Sequence, residues 1–359
     1  MSELVRTALA SVVEGGSLSL DEAQAAMAAV MDGEATPSQL AALLVALRMR
    51  GETTAELAGF TVAMRQRVTR VDAPPGAIDV VGTGGDRSGT FNISTTAALV
   101  VAAAGVPVAK HGNRAMTSRS GSADVLDALG IRTDHDAESA AAALRSDGFA
   151  FLFAPGFHPA MKFAGPTRRE IGVRTAFNLI GPLTNPAGVA RLIVGVADPV
   201  AAGRIAEVLE VLGQERALVV HGAGIDELPL DGTGVIHDVS STAIEVSEVG
   251  LDRIRSLGLA DAPTSALAGG TPAENAGLLE AVLAGTPGPR RDVVLLNAAA
   301  AFVAAGRVTS LDDGVRLAVV TIDGRGPVAL LARLRAAGPT AGSSAGPTAS
   351  AGRSAVVPG

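Results

Sequence analysis

The sequence contains no cysteine, tryptophan or tyrosine, and only nine phenylalanines among its 359 residues. Without cysteine the chain can form no disulfide framework, thiol nucleophile or thiolate metal site. With so few aromatic side chains, the stacking of nucleic-acid bases on aromatic platforms is poorly supported. The absence of cysteine does not, by itself, indicate a cellular compartment.

Excess positive charge and long apolar runs are lacking as well. The chain carries 29 basic and 36 acidic side chains, a net charge of -7, so broad attraction to nucleic acid or anionic membranes is not expected. No apolar run reaches the ~18 residues of a membrane span, and the N-terminus lacks the basic start and apolar block of a signal peptide. We therefore expect a cytoplasmic protein with no nucleic-acid and no membrane partner.

The first part of the chain has the pattern of a small helical bundle. Capping boxes begin at Ser19, Thr36 and Thr53, each with an acidic or amide residue three positions later. Apolar residues then recur at helical spacing. These signals predict about four helices between residues 3 and 70, and an N-terminal helical domain at 1–71.

After a turn-rich linker at 71–76, short β-branched runs alternate with alanine-rich helical segments. This alternation predicts an α/β fold: a small N-terminal α-helical domain hinged to a larger α/β domain at 72–337 with a mostly parallel central sheet. A helical segment near 157–185 is expected to join the small domain. The Ala/Gly/Ser/Pro-rich stretch 338–359 is expected to be disordered. Predicted strands lie at 78–81, 106–109, 149–153, 191–196, 217–221, 234–238 and 243–249. Predicted helices of the larger domain lie at 94–104, 122–129, 291–305, 311–320 and 326–337.

A glycine-rich turn follows the first predicted strand and leads into a predicted helix. Glycines let backbone N–H groups approach an anion closely, and hydroxyl and amide residues at the helix start add donors. The spacing fits neither the nucleotide-triphosphatase loop nor the complete dinucleotide-binding pattern. The turn therefore indicates another phosphate ligand. The residues concerned are Gly82, Gly84, Gly85, Asn92, Ser94 and Thr95.

Polar residues also follow the next predicted strand, where parallel sheets place their ligand sites. Lys110 is interpreted as a mobile charge for a phosphate, the alternative being a solvated surface lysine. His111 is interpreted either as a catalytic histidine or as one whose ring is satisfied by backbone carbonyls. Asn113 can bond a carbonyl or a carboxylate.

Two adjacent carboxylates, Asp226 and Glu227, follow the strand-like run that ends at His221. Both can reach one site only if the backbone turns there, because neighbouring strand residues face opposite ways. Oxygen ligands of this kind suit Mg²⁺, which keeps waters and bridges to substrate phosphates. The alternative is a solvated surface pair.

Two arginines precede a glycine in a segment predicted to be helical. Arg169 and Glu170 are consistent with a surface ion-pair face. If one of the two, Arg168 or Arg169, turned inward, it would instead grip a carboxylate with its planar guanidinium.

Taken together these motifs resemble the anthranilate phosphoribosyltransferase family of tryptophan biosynthesis, from about residue 5 to residue 337. Each motif alone would be weak, but the set is specific. The motifs are Gly-Thr-Gly-Gly-Asp at 82–86, Thr-Phe-Asn-Ile-Ser-Thr at 90–95, Lys-His-Gly-Asn-Arg at 110–114, the run from Gly172 to Pro186, and Asp-Glu at 226–227.

The resemblance implies Mg²⁺-dependent transfer from 5-phosphoribosyl 1-diphosphate to the amine of anthranilate, with two Mg²⁺ ions and a homodimer formed through the helical domain. It implies metal binding by Ser94, Asp226 and Glu227, and anthranilate binding by Gly82, Asn113 and Arg168. It implies catalytic or orienting roles for Lys110, His111, Asn113 and Arg168. The implied phosphoribosyl diphosphate site comprises Gly82, Gly85, Asp86, Thr90, Asn92, Ile93, Ser94, Thr95, Lys110, His111, Gly112, Asn113, Arg114, Ala115, Met116, Thr117, Ser118 and Ser122.

Two positions depart from the usual family pattern. Met116-Thr117 occupies a loop that is more often small and hydroxyl-rich, and Met161 stands where an aromatic can occur. We expect altered packing or affinity there, with the chemistry retained. Two other interpretations stay open: a pyrimidine-nucleoside phosphorylase, which has a similar fold, and a noncatalytic relative that binds nucleic acid.

Overall fold

The computed structural model describes residues 1–115 and 119–338. The expectations about Met116, Thr117 and Ser118, and about the tail beyond Gly338, lie outside the described residues. No helix in the two described ranges has both the length and the apolar character needed to cross a membrane.

Four helices form the N-terminal bundle, as the capping signals predict. Ser19, Thr36 and Thr53 each accept a hydrogen bond from the backbone N–H three residues later, which satisfies a donor that the helix itself cannot. The apolar faces of the helices are buried against each other. The helices are α1 (Glu3–Val13), α2 (Leu20–Met31), α3 (Pro37–Arg50) and α4 (Thr54–Arg65).

The rest of the chain is built on one seven-stranded sheet with the order β3-β2-β1-β4-β5-β6-β7. Neighbouring strands from β3 to β5 run parallel, whereas β6 and β7 pair antiparallel at one edge. The predicted α/β fold with a mostly parallel sheet is confirmed. The strands are β1 (Ile78–Gly82), β2 (Val108–Gly112), β3 (Phe149–Phe153), β4 (Arg191–Gly195), β5 (Arg216–His221), β6 (Gly234–Ser240) and β7 (Ile244–Val249).

Twelve further helices occupy the described part of the chain after β1. Those following β1, β2 and β4 are the crossover connections that parallel pairing requires. They are α5 (Ile93–Ala103), α6 (Ser122–Ala128), α7 (Ala137–Asp147), α8 (Ala154–Phe157), α9 (Met161–Ile171), α10 (Ala176–Ile180), α11 (Pro199–Val211), α12 (Leu251–Ser256), α13 (Pro272–Leu283), α14 (Pro289–Ala304), α15 (Leu311–Asp323) and α16 (Gly326–Ala336).

The segment expected to be helical near 157–185 consists of separate short helices. The chain breaks after α9 because Gly172 takes a left-handed conformation, with φ of 69°. Helices α9 and α10 pack against α2, α3 and α4, so this segment lies on the N-terminal bundle.

Two large apolar cores lie on the two faces of the sheet, and a smaller one lies among β2, β3 and α7. On one face the strands pack against α5 and α14, and α13, α15 and α16 pack against these two helices. On the other face they pack against α11, which in turn contacts α4, so the N-terminal bundle and this face of the sheet share one continuous core. Both faces of the central strands are covered, as expected for parallel strands.

Candidate active site

The candidate site lies where the carboxyl ends of β1, β2, β4 and β5 meet. These four neighbouring strands end at Gly82, Gly112, Gly195 and His221. The loops that follow them carry most of the candidate residues predicted from the sequence. Such a position is the usual ligand site of an open parallel sheet.

Asp226 and Glu227 contact both phosphate-binding elements predicted from the sequence. The Asp226 carboxylate accepts a hydrogen bond of 2.7 Å from the Gly84 backbone N–H in the glycine turn. The Glu227 carboxylate accepts one of 2.9 Å from the Ser94 backbone N–H in the first turn of α5. The two neighbouring carboxylates face one site because the chain turns just before them, with Ala223 at φ 51°. The structure therefore unites three stretches that are far apart in the sequence.

Two glycines make room for Asp226. A Cβ atom on Gly82 would overlap the Asp226 carboxylate, and one on Gly195 would overlap its backbone carbonyl. The loop after β5 therefore lies directly across the ends of β1 and β4. A side chain at Gly195 would displace this loop, whereas one at Gly82 would push the Asp226 carboxylate aside.

The acidic pair has the electrostatic character of a cation site. Removal from water raises the pKa of Glu227 to about 8, and the nearby negative charge of Asp226 adds to this rise. Removal from water and the charge of Asp86 raise the pKa of Asp226 to about 6. Carboxylates that repel each other in this way are stabilised by a cation between them.

The donor set fits Mg²⁺ that is only partly held by protein. Within 1–115 and 119–338, no three His, Asp or Glu side chains form a group that could hold a metal ion. Two carboxylates leave most coordination positions to water and substrate oxygens, as Mg²⁺ prefers. The Ser94 hydroxyl lies on the same helix start as the amide that bonds Glu227.

Lys110 is neither a solvated nor a mobile lysine. Its side chain is 2% exposed, and its ammonium donates to the Val80 backbone carbonyl. Burial lowers its pKa, whereas the charges of Asp79, Glu227 and Asp226 counteract that effect. Lys110 is therefore held in place near the acidic pair, and its binding of a phosphate stays a prediction.

Asp79 is the negatively charged neighbour of the Lys110 ammonium. It is fully buried, accepts from the His111 backbone N–H at 3.1 Å and from the Asn185 side chain at 2.7 Å. Burial raises its pKa to about 7, against the opposing attraction of Lys110. This network links β1, β2 and the end of the 157–185 segment.

His111 is buried and paired with a second histidine. Its Nε2 lies 3.2 Å from Nε2 of His158, and its ring also donates to the Gly181 backbone carbonyl. These partners assign the proton of His111 to Nδ1 and place the proton of His158 on Nε2. Burial lowers the pKa of His111 to about 3 and that of His158 to about 4. Both rings are therefore neutral at pH 7.

The start of α5 is held by an amide network. The Asn92 side chain donates to the Ser120 backbone carbonyl at 3.2 Å and accepts from the Asn275 side chain at 2.8 Å. Ile93 and Thr95 are each 1% exposed, so they can offer a ligand their backbone amides and not their side chains.

The rest of the glycine turn is held by short local bonds. Gly85 has φ of 68°, the Asp86 carboxylate accepts from the Ser88 backbone N–H at 3.2 Å, and the Ser88 and Thr90 hydroxyls lie 3.1 Å apart. These bonds join residues 86 to 90 of the turn to one another.

The loop after β2 is braced by α6. Arg114 forms ion pairs with Asp124 and Asp127 at 3.1 and 2.7 Å, so its charge is already engaged, and Asp124 also accepts from the Ala115 backbone N–H. The side chain of the intervening Asn113 is exposed.

Ser122, the first residue of α6, packs closely against the same loop. Its hydroxyl donates to the Asn113 backbone carbonyl at 3.3 Å. A Cβ atom on Gly112 would overlap this hydroxyl. Glycine at the end of β2 therefore lets the loop and α6 lie close together.

Arg168 lies on α9, away from the contacts described above. Its guanidinium carbon is 4.7 Å from the centre of the Phe177 ring, a cation–π distance. Burial lowers the pKa of its guanidinium below the ordinary value for arginine. Arg174, which follows α9, reaches closer to the acidic pair, because it donates to the Gly84 carbonyl at 2.6 Å.

Sequence reasoning missed several residues that build this site. Asp79 lies inside an apolar strand, where a charged residue signals a buried partner. His158, Asn185 and Asn275 act through contacts between distant segments, which one sequence does not show. Arg174 lies inside the motif at 172–186, but nothing in the sequence points to Gly84 as its partner.

Two family models match the chain. A glycosyl transferase family helical bundle domain matches residues 6–68, and a glycosyl transferase family a/b domain matches residues 74–325. Together they cover most of the chain and follow the division into bundle and sheet.

Similar proteins share one description. Anthranilate phosphoribosyltransferase of Thermomicrobium roseum is 51% identical over 337 residues, covering 92% of this chain and 96% of that protein. A crystal structure of anthranilate phosphoribosyltransferase from Thermus thermophilus matches with a TM-score of 0.85 at 45% identity, covering 92% of this chain and 98% of that one.

A more distant structure carries ligands. Anthranilate phosphoribosyltransferase from Saccharomyces cerevisiae, in complex with PRPP and Mg, matches with a TM-score of 0.83 at 26% identity, covering 93% of this chain and 98% of that chain. With half of its residues identical to a relative along nearly its whole length, the chain belongs to the anthranilate phosphoribosyltransferase family.

Proposed function

We propose that this chain transfers the phosphoribosyl group of 5-phosphoribosyl 1-diphosphate to the amine of anthranilate, with Mg²⁺ and with diphosphate as the second product. One observation carries the proposal: the acidic pair at 226–227 bonds to the glycine turn through Gly84 and to the start of α5 through Ser94. A diphosphate that carries a metal ion needs carboxylates for the metal and backbone amides for the phosphates close to one another.

The donor side of the site is suited to a departing polyanion. The Gly84 and Ser94 amides, which now bond carboxylates, are positioned to donate to phosphate oxygens. Lys110 adds a fixed positive charge behind them, and pre-placed charge of this kind stabilises a charge that grows during reaction. When bound, Mg²⁺ would be held by Asp226 and Glu227 and would neutralise charge on the leaving diphosphate.

The acceptor side needs positioning more than proton removal. An aromatic amine is largely unprotonated at neutral pH, so orientation of the nucleophile matters more than a strong general base. Arg168 is proposed to bind the anthranilate carboxylate, and Asn113 to orient the acceptor. His111 is neutral and bonded to His158. We therefore propose that it helps to orient the acceptor and does not act as a general base.

The direct test is the loss of anthranilate fluorescence on mixing with phosphoribosyl diphosphate and Mg²⁺. We expect the fluorescence to fall with a rate proportional to enzyme, and to stay constant when a chelator removes Mg²⁺. Constant fluorescence in the presence of Mg²⁺ would overturn the proposal. Phosphate-dependent cleavage of thymidine or uridine by the same preparation would support a pyrimidine-nucleoside phosphorylase instead.

Other expectations remain proposals. The binding of two Mg²⁺ ions would appear as a stoichiometry of two in a titration at saturating diphosphate. The homodimer through the helical domain and the cytoplasmic location likewise stay predictions.

A further inference from the structure

Arg174 connects the link after α9 to the glycine turn. It lies in the four-residue link between α9 and α10, just after the left-handed Gly172. Its side chain is exposed, and Nη1 donates to the Gly84 carbonyl at 2.6 Å. This hydrogen bond joins the link to the glycine turn.

The Gly84 residue is thereby held on both sides. Its carbonyl accepts from Arg174, and its N–H donates to Asp226 at 2.7 Å. The backbone of the turn is flexible. Gly84 and Gly85 have φ of 63° and 68°, a region that glycine enters freely. A turn with so much backbone freedom must lose entropy when it closes on a ligand. A bond that fixes it beforehand lowers that cost.

We propose that Arg174 is a positioning residue that fixes the glycine turn for diphosphate binding. This inference rests on the function proposed above. By holding the Gly84 carbonyl it fixes the backbone of the turn beside the acidic pair. It also ties the turn to the link that follows α9, the helix that carries Arg168. The bond comes from an exposed side chain, so its loss should not unfold the protein.

The test compares Arg174→Ala, Arg174→Lys and the wild type. Isothermal titration with diphosphate and Mg²⁺ should show binding to Arg174→Ala weakened by about tenfold, the scale of one charged hydrogen bond. The KM for phosphoribosyl diphosphate should rise by a similar factor, while kcat and the KM for anthranilate stay within about twofold of wild type. Arg174→Lys, which keeps a charged donor, should recover most of the lost affinity.

Arg169→Ala is the matched control, because Arg169 is an exposed arginine on α9, the helix that precedes the link. The proposal is overturned if Arg174→Ala binds diphosphate as wild type does, if Arg169→Ala weakens binding equally, or if Arg174→Lys is as weak as Arg174→Ala. Failure of the underlying function is a separate result: the wild type itself would then leave anthranilate fluorescence unchanged.

Discussion

At the scale of single residues, Arg168 is the group on which acceptor recognition is proposed to depend. Replacing it by alanine should raise the KM for anthranilate by roughly 10- to 100-fold, because a planar guanidinium paired with a carboxylate is lost. Its lowered pKa still leaves it charged at neutral pH. Steady-state kinetics with each substrate varied in turn would measure the effect.

The control for Arg168 is again Arg169→Ala, which should leave both Michaelis constants within about twofold of wild type. The assignment is wrong if Arg168→Ala shows an unchanged KM for anthranilate and an unchanged turnover number. A rise confined to the KM for phosphoribosyl diphosphate would equally contradict it.

The buried pair of His111 and His158 gives the molecule a predictable acid sensitivity. Their pKa values of about 3 and about 4 lie below the value of about 6.5 expected in the unfolded chain. Between these limits the unfolded state binds more protons, so the pair's contribution to stability is complete above pH ~6.5 and is lost as the pH falls. Each histidine contributes a slope of about 1.4 kcal/mol per pH unit in that window.

His158→Gln tests this slope, since the glutamine amide can still donate to His111 Nε2. Urea unfolding at several pH values between neutral and mildly acidic should show the free energy of unfolding falling less steeply for His158→Gln than for wild type. His135→Gln is the comparison, a histidine away from the pair whose pKa of about 4 should give a similar change in slope without altering turnover. Parallel stability curves for wild type and His158→Gln would contradict the assignment.

At the scale of elements, local sequence signals predict where helices begin. They do not predict which distant segments come into contact. The capping boxes at Ser19, Thr36 and Thr53 predicted three helix starts that the structure shows. Helices α7, α11 and α13 were missed, although the same capping rule applies to them. Each begins after a side chain that accepts from its first turn: Asp136, Asp198 and Thr271.

The candidate site could be predicted only as a set of residues. The glycine turn and the carboxylate pair are visible as types and spacings, but their contacts depend on strand order. The burial of Lys110 against Val80 and the pairing of His111 with His158 arise between segments at least 30 positions apart. One sequence offers no physical signal for such pairings.

The loop between β5 and β6 crosses the end of β4 at Gly195. The position of this loop therefore depends on Gly195 having no side chain. In Gly195→Ala the new Cβ would overlap a backbone carbonyl, that of Asp226, which cannot rotate away as a side chain can. We expect a loss of about 1–3 kcal/mol in the free energy of unfolding, the scale of overpacking. Diphosphate binding with Mg²⁺ should fall by at least about tenfold, because the acidic pair moves with its loop.

Gly277→Ala provides the contrast, since a Cβ at this helical position in α13 meets nothing within 4 Å. It should stabilise the protein by about 0.5–1 kcal/mol and leave binding unchanged. Thermal unfolding and titration calorimetry of both variants would decide. Normal diphosphate affinity in Gly195→Ala would show that the loop tolerates displacement and that its close packing is not needed.

At the scale of the whole molecule, the exposed apolar residues of the helical bundle bear on assembly. Four of them lie on two helices that pack together: Leu4 and Val13 on α1, and Val45 and Met49 on α3, with Met49 83% exposed. We predict that these residues contribute to an interface with a second copy of the chain. In a two-fold dimer each residue occurs twice, so one substitution changes the interface at two places.

Met49→Glu should therefore weaken dimerisation by roughly 100-fold, because two charges would be buried without partners. Light scattering over a concentration series would measure the shift towards monomer. Val320→Glu, at a 69% exposed position on α15, should leave the mass unchanged. A wild type that is monomeric throughout, or equal dissociation of the two variants, would contradict the prediction. Because the candidate site described above is built from one chain, the Met49→Glu monomer should keep its turnover number, which separates assembly from chemistry.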